Sequence, residues 1–212
     1  MGKLFVLEGL DGSGKATQSD LLARALDARR VSFPDYESDS SALVRLYLSG
    51  AFGTRPGDVN AYAASSFYAV DRFASYKRDW GAFYGDGGTV VADRYTTANA
   101  VHQCSKLPRE QWDTFLDWLF SYEYDLLGLP APDTVFYLRV EPAVSLRLLR
   151  ARGAASDIHE RDRDYQARSR EAADYCAARF GWAVVECTRA GELRSVEDIH
   201  REILRRATEA ES

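Results

Sequence analysis

Gly9-Leu10-Asp11-Gly12-Ser13-Gly14-Lys15 stands between an apolar run, Leu4-Phe5-Val6-Leu7, and an amphipathic segment from Gln18 to Ala28. That order reads as strand, glycine-rich turn, helix. The spacing Gly-x-x-x-x-Gly-Lys is that of a phosphate-binding loop. Glycines let the backbone curl so that successive N–H groups converge on one anion. The following helix turns its free N–H groups and positive dipole end on the same anion. Lys15 adds a point charge for β- and γ-phosphates. The nucleotide-binding set is Gly9, Leu10, Asp11, Gly12, Ser13, Gly14, Lys15, Ala16 and Thr17. The bland alternative is an ordinary glycine-rich turn, and the strand before and helix after argue against it. Ala16 departs from the pattern. A Ser or Thr hydroxyl usually holds Mg²⁺ there, and Thr17 comes one residue too late to replace it.

The 212 residues suffice for one good-sized domain, and 46% hydrophobic with 28% charged residues is ordinary globular composition. A net charge of −5 argues against a nucleic acid polymer as partner, while leaving room for a small phosphate substrate at a local arginine cluster. Cys104, Cys176 and Cys187 are scattered and odd in number, so they form neither a zinc pattern nor a disulfide framework. Buried thiols in a reducing, cytoplasmic setting are expected. His102, His159 and His200 lack metal-ligand spacing. No apolar run reaches the length of a membrane span, and no signal peptide is expected before the first strand.

Strands are expected at 3–8, 30–33, 89–92, 134–140 and 182–187. Helices are expected at 14–28, after the Ser38 to Ser41 caps with a stripe of Leu43, Leu46 and Tyr47, and at about 60–84, 96–106, 109–127, 142–152, 160–180 and 195–207. Alternating strands and helices give an α/β fold, a five-stranded parallel sheet flanked by helices, as a single domain over 1–212. Right-handed crossovers bring the strand C-termini to one edge, where ligands bind. The loop at 9–15, Phe33-Pro34 and Asp93-Arg94-Tyr95 all fall at that edge.

Three constellations carry chemistry. Asp93 can hold Mg²⁺ through water and Arg94 can bridge phosphates, although a strand-end salt bridge is the plain alternative. Tyr68 and Arg72 lie four apart and share a helix face, which suits stacking on a base and hydrogen bonding to its exocyclic oxygen; a core aromatic beside an exposed arginine is the commoner arrangement. Residues 150–170 mix Arg150, Arg152, Arg161, Arg163, Arg168 and Arg170 with Asp157, Glu160, Asp162 and Asp164. That pattern fits a solvated helix face or a lid closing over phosphates, and the break Gly153-Ala154-Ala155-Ser156 favours the lid.

Together these stretches resemble the thymidylate kinases of the nucleoside monophosphate kinase group, over essentially the whole chain. The resemblance is carried by Glu8 to Lys15, by Phe33-Pro34 with Tyr36, by Tyr68-Ala69-Val70-Asp71-Arg72, by Asp93-Arg94-Tyr95 with Asn99, and by the arginine-rich stretch. It implies ATP and dTMP as substrates, dTDP and ADP as products for dTTP synthesis, Mg²⁺ as cofactor, a homodimer and a short lid at about 150–165. It places Tyr68 on the thymine ring, Arg72 on a base oxygen and Asp11 near the sugar 3′-hydroxyl. Phe33, Tyr36, Arg45, Arg94, Asn99 and His102 would line the monophosphate site. Lys15, Arg94, Asp93 and a lid arginine, Arg152, would serve catalysis, with Asp11 and Asp93 holding the metal mainly through water. The stripe Phe115, Leu116, Leu119, Phe120 is either a dimer seam or core. A deoxynucleoside kinase would use Glu8 or Asp11 as base. A nucleotide-binding pseudokinase has Ala16 as its support. A GTP switch is disfavoured because neither Asn60 nor Asn99 is followed by Lys.

Overall fold

Five short strands make the sheet: β1 (Leu4–Glu8), β2 (Arg29–Ser32), β3 (Val90–Asp93), β4 (Thr134–Arg139) and β5 (Ala183–Glu186). All pairings are parallel, in the order β2-β3-β1-β4-β5. The computed structural model describes residues 1–141, 143–145, 147–148 and 163–209. The five-stranded parallel expectation is met, each strand lying within a residue or two of the expected bounds.

β1 is buried along its full length. Its side chains alternate between two cores, as the two-residue period of a strand requires. Leu4 and Val6 join Val31, Tyr95, Phe115 and Leu116 on one face; Phe5 and Leu7 join Leu22, Phe136, Ile199 and Ile203 on the other. Helices α1 (Lys15–Ala25) and α8 (Val196–Glu209) cover the second face. The first face is covered by α5 (Thr96–Cys104), α6 (Trp112–Phe120) and α7 (Arg163–Phe180). Phe115, Leu116 and Leu119 of the expected stripe are fully buried within one copy of the chain and belong to the core, while Phe120 is half-buried and packs against it.

Register fixes the edge that matters. Asp93 stands opposite both Leu7 and Ser32, and Glu8 opposite Tyr137. The C-terminal ends of β1, β2 and β3 therefore meet, and two acids end adjacent strands.

Some local expectations change. The helix expected at 60–84 is α3 (Ala61–Ser75), a π-helical turn over Tyr76–Trp80, and α4 (Gly81–Gly85). A Cβ on Gly81 would lie 2.5 Å from the Tyr76 carbonyl oxygen, so the turn closes only over glycine. The segment expected at 109–127 is likewise a 3₁₀ turn (Arg109–Gln111), α6 and a second π turn (Ser121–Leu126). In α2 (Ala42–Ser49) Val44 and Tyr47 face the core, whereas Leu43 and Leu46 are 42% and 45% exposed. The helix is only two turns long and buries one narrow stripe. Arg168 and Arg170 belong to α7 and not to a lid. Their guanidinium groups donate to the Ser105 carbonyl (2.9 Å) and the Val140 carbonyl (2.5 Å). The helix expected at 142–152 and the lid at about 150–165, with Arg152, fall largely outside the described residues.

A hairpin not expected from sequence joins β6 (Thr188–Arg189) to β7 (Glu192–Leu193). Ala190 (φ 51°) and Gly191 (φ 77°) are both left-handed at its turn. Such two-residue turns favour Asn-Gly because the left-handed region strains an alanine Cβ. Ala190→Asn is expected to raise the thermal midpoint by about 1–3 °C, corresponding to a few tenths of a kcal/mol up to about 1. A calorimetric melt with no rise, or a fall, would mean the turn is not strained.

Candidate active site

The loop between β1 and α1 is shaped by its glycines. A Cβ at Gly9 (φ 154°) would lie 2.6 Å from Ser13 Oγ and 2.9 Å from the Leu138 carbonyl oxygen. Gly14 (φ 88°) takes the left-handed N-cap position of α1. Lys15 folds back over the loop and donates to the Leu10 carbonyl at 2.9 Å. It is buried, and that burial, reinforced by repulsion from Arg94, pulls its ammonium down to about 8.

Around it lies a compact cluster of charge. Arg94 has a left-handed backbone (φ 65°), and its N–H donates to the Leu7 carbonyl, which pins the turn after β3 to β1. Its guanidinium donates to Asp11 Oδ1 at 2.5 Å and lies 3.9 Å from Glu8 Oε1. Burial opposes its charge, but Asp11 and Glu8 outweigh burial and hold its pKa above the ordinary value. Arg94 also reaches His102 Nε2 at 3.1 Å. Arginine can only donate, so Nε2 accepts, and Nδ1–H faces the Tyr165 hydroxyl at 3.3 Å. The Tyr165 ring stacks on His102 at 6.0 Å and its hydroxyl donates to the His102 carbonyl. Asp93 pairs with Arg30 at 3.0 Å, and Arg30 Nε donates to Ser19 Oγ. Glu8 is fully buried, which raises its pKa; its oxygens accept from Gly9 N–H (2.9 Å) and Thr97 Oγ1 (2.8 Å).

Of these groups, Asp11, Lys15, Asp93, Arg94 and His102 line one cavity of about 780 Å³. Asp11, Gly12, Gly14, Lys15, Ala16 and Thr17 share its lining with Phe33, Tyr36, Tyr68, Arg72, Asn99 and His102. Asp93 and Arg94 also line it, and Arg94 contacts both Asp11 and His102. Residues up to 91 positions apart in sequence thus converge as expected. Gly9, Leu10 and Ser13 are not among the cavity's lining residues. Arg45 is exposed and does not line the cavity; it donates to the carbonyls of Tyr36 and Ser38 and to Ser41 Oγ, bracing the loop after β2. Asp71 braces the same loop from α3, accepting from Asp35 N–H and Ser40 Oγ.

Arg72 is not an exposed partner of a core aromatic. It is 2% exposed, and Glu123 takes its Nε at 2.7 Å and Nη2 at 2.5 Å. Thr96 Oγ1 (2.7 Å) and Asn99 Nδ2 (3.2 Å) donate to the same carboxylate. Glu123 was not singled out from sequence. The available signal was its place on the stripe Leu116, Leu119, Glu123, where a charge on a buried face demands a partner.

For a metal, no group of three or more His, Cys, Asp or Glu side chains is arranged as a binding cluster among the described residues. Asp11 and Asp93 each spend an oxygen on an arginine. Two such carboxylates fit Mg²⁺ held through water, with phosphates as its inner ligands, because this ion keeps several waters.

Residues 7–203 match the family model for thymidylate kinase. The chain belongs to the thymidylate kinase family. Its members are phosphotransferases, and the charge cluster suits that class. The chain is 30% identical over 177 residues to a thymidylate kinase of Mycobacterium tuberculosis, covering 78% of this chain and 81% of that protein. It is 26% identical over 212 residues to one from Plasmodium falciparum, covering 98% and 90%. The thymidylate kinase structure of Candida albicans superposes with a TM-score of 0.77 at 19% identity, covering 100% of this chain and 94% of that one. The fold is therefore that of phosphate-loop nucleoside monophosphate kinases.

Two outcomes follow from this geometry. Glu123→Gln leaves the Arg72 charge buried without a counterion, so it is expected to destabilise the protein by about 3–5 kcal/mol and to weaken monophosphate binding, with ATP binding spared; unchanged denaturant stability would mean that Arg72 re-pairs. Lys15 must be protonated to hold a phosphate, and a bound phosphate raises its pKa. ATP binding should therefore take up a proton as pH rises through about 8 and weaken above it, with no uptake well below that pH. Calorimetry in buffers of different ionisation enthalpy measures this, and pH-independent proton uptake would contradict it.

Proposed function

We propose that this chain transfers the γ-phosphoryl group of ATP to the phosphate of dTMP, giving dTDP and ADP. The observation that supports this most is one cavity lined by the phosphate loop, by Asp93 and Arg94 and by Tyr68 and Arg72, with Arg94 contacting Asp11 of the loop and His102 of α5.

An oxygen of the acceptor phosphate forms the new bond to the γ-phosphorus, and the β–γ bridging bond breaks with its electron pair leaving on ADP. The acceptor is already an oxyanion, so no strong base is required, and positioning with charge neutralisation supplies the rate. Lys15 neutralises the migrating group. Arg94 exchanges part of its contact with Asp11 and His102 for the acceptor phosphate. Asp11 is then available to the sugar 3′-hydroxyl. Tyr68 stacks on thymine, Arg72 donates to a base oxygen, and Phe33, Tyr36, Asn99 and His102 line the sugar and phosphate. Arg45 acts through the loop it braces. Asp93 and Asp11 would hold Mg²⁺ through water, and the ion would supply further neutralisation of phosphate charge. A lid over about 150–165 with Arg152 completes the reading, as do a cytoplasmic homodimer and a place in dTTP synthesis.

A hydroxyl acceptor would want a carboxylate base. Both oxygens of Glu8 are held by Gly9 and Thr97, which argues against that role. The test is ADP release with dTMP, dUMP, dGMP and thymidine offered separately. The highest kcat/KM is expected on dTMP, and Lys15→Ala should lower kcat by about 10²–10³ without unfolding the chain. A preference for thymidine, or near-normal turnover in the Lys15 variant, would overturn this reading.

A further inference from the structure

Between the phosphate loop, the end of β4 and α7 lies a second cavity of about 10 Å³, the room that the centre of one water needs. Its polar lining is Ser13, Tyr137, Ser145 and Arg170, and Leu10 and Leu138 help to close it. Ser13 is 5% exposed, and its hydroxyl has no hydrogen-bond partner among the described residues. A buried hydroxyl left unmet costs free energy that folding does not return, and native proteins keep few such groups. An alanine would complete the loop without that cost. The hydroxyl therefore calls for a ligand small enough for this space.

The lining supplies what one water requires. Ser13 Oγ can donate and accept. Ser145 Oγ spends its proton on the Asp11 carbonyl at 3.2 Å and keeps its lone pairs. Arg170 Nη1 donates to the Val140 carbonyl at 2.5 Å, and the guanidinium keeps further N–H donors. A water that accepts from Ser13 and Arg170 and donates to Ser145 makes three hydrogen bonds, the usual number for a buried one. The guanidinium repels a cation of similar size.

We infer that one buried water bridges Ser13 to Ser145 and Arg170, and that Ser13 is a positioning residue through which this bridge holds the phosphate loop ready for ATP. This rests on the proposed ATP at the loop and deepens it; the acceptor plays no part. Glycine-rich backbone loses more conformational freedom on ordering than any other. A loop ordered beforehand from β4 and α7 binds phosphate at lower cost. Gly9 makes room for the arrangement, since a Cβ there would lie 2.6 Å from Ser13 Oγ.

Two measurements test this. In a crystal structure of the wild-type protein, one ordered water is expected within hydrogen-bond distance of Ser13 Oγ, Ser145 Oγ and the Arg170 guanidinium. Kd is then determined by calorimetry for a non-hydrolysable ATP analogue and for dTMP, with wild type, Ser13→Ala, Ser145→Ala and the double variant. Ser13→Ala should weaken binding of the analogue about three- to tenfold and leave dTMP binding unchanged. Because both serines act through one water, the loss in the double variant should fall short of the product of the single losses by at least about twofold. A dry cavity, unchanged affinity for the analogue in Ser13→Ala, or losses that simply multiply would overturn the inference. A lower thermal midpoint with analogue affinity intact would overturn it as well, because it would mark Ser13 as structural. Turnover is read separately. If the analogue binds but ATP and dTMP give no dTDP, the proposed function fails while the cycle still decides the role of Ser13. If the analogue does not bind, both fail.

Discussion

Charge buried at the end of a parallel sheet organises this molecule. Arg94 stands in a left-handed turn between Asp11 and Glu8, with Lys15 close behind. Removing such groups from water is costly, and only close counter-charges and hydrogen bonds offset it. Each contact therefore also fixes structure. The Arg94 amide ties β3 to β1, Glu8 ties the loop to α5 through Thr97, and Asp93 ties β3 to β2 and α1 through Arg30 and Ser19. The cations are paired before any ligand arrives, so phosphates can take them over by exchanging partners, with little reorganisation.

A second buried pair, Arg72 with Glu123, repeats this logic with a different balance. Glu123 collects Arg72, Thr96 and Asn99 from two helices and leaves donors of Arg72 for a ligand. Helix α5 joins the two charge clusters: Thr97 holds Glu8, His102 contacts Arg94, and Asn99 donates to Glu123. Its position is set by burial against α7 and the sheet, which makes the packing of the first core a condition for the geometry of the site.

What could be read from sequence was what is local. The phosphate loop is a run of seven residues whose glycines meet immediate steric limits, and the strands announce themselves by apolar runs ended by Gly, Pro or Asp. Asp93, Arg94, Tyr68 and Asn99 converge because strand order and crossover handedness leave few alternatives. The Glu123–Arg72 pair was not legible, because its members lie 51 positions apart and neither has a local signature. The π turns after α3 and α6 look like ordinary helix in a hydrophobic pattern. The β6–β7 hairpin lacks the usual Asn-Gly signal, since Ala190 occupies the strained position. Leu43 and Leu46 show the reverse error: helical spacing alone does not say how much of a short helix a core can cover. Ala16 remains consistent with a metal that reaches the protein through water.

The most direct measurement follows the transferred group itself. Wild-type protein is mixed, in a single turnover, with ATP labelled in its γ-phosphoryl group and an equimolar mixture of dTMP and thymidine, and the products are separated. Label in dTDP alone is the result expected of an acceptor phosphate held by Arg94. Label appearing first in dTMP would show transfer to a hydroxyl and contradict it.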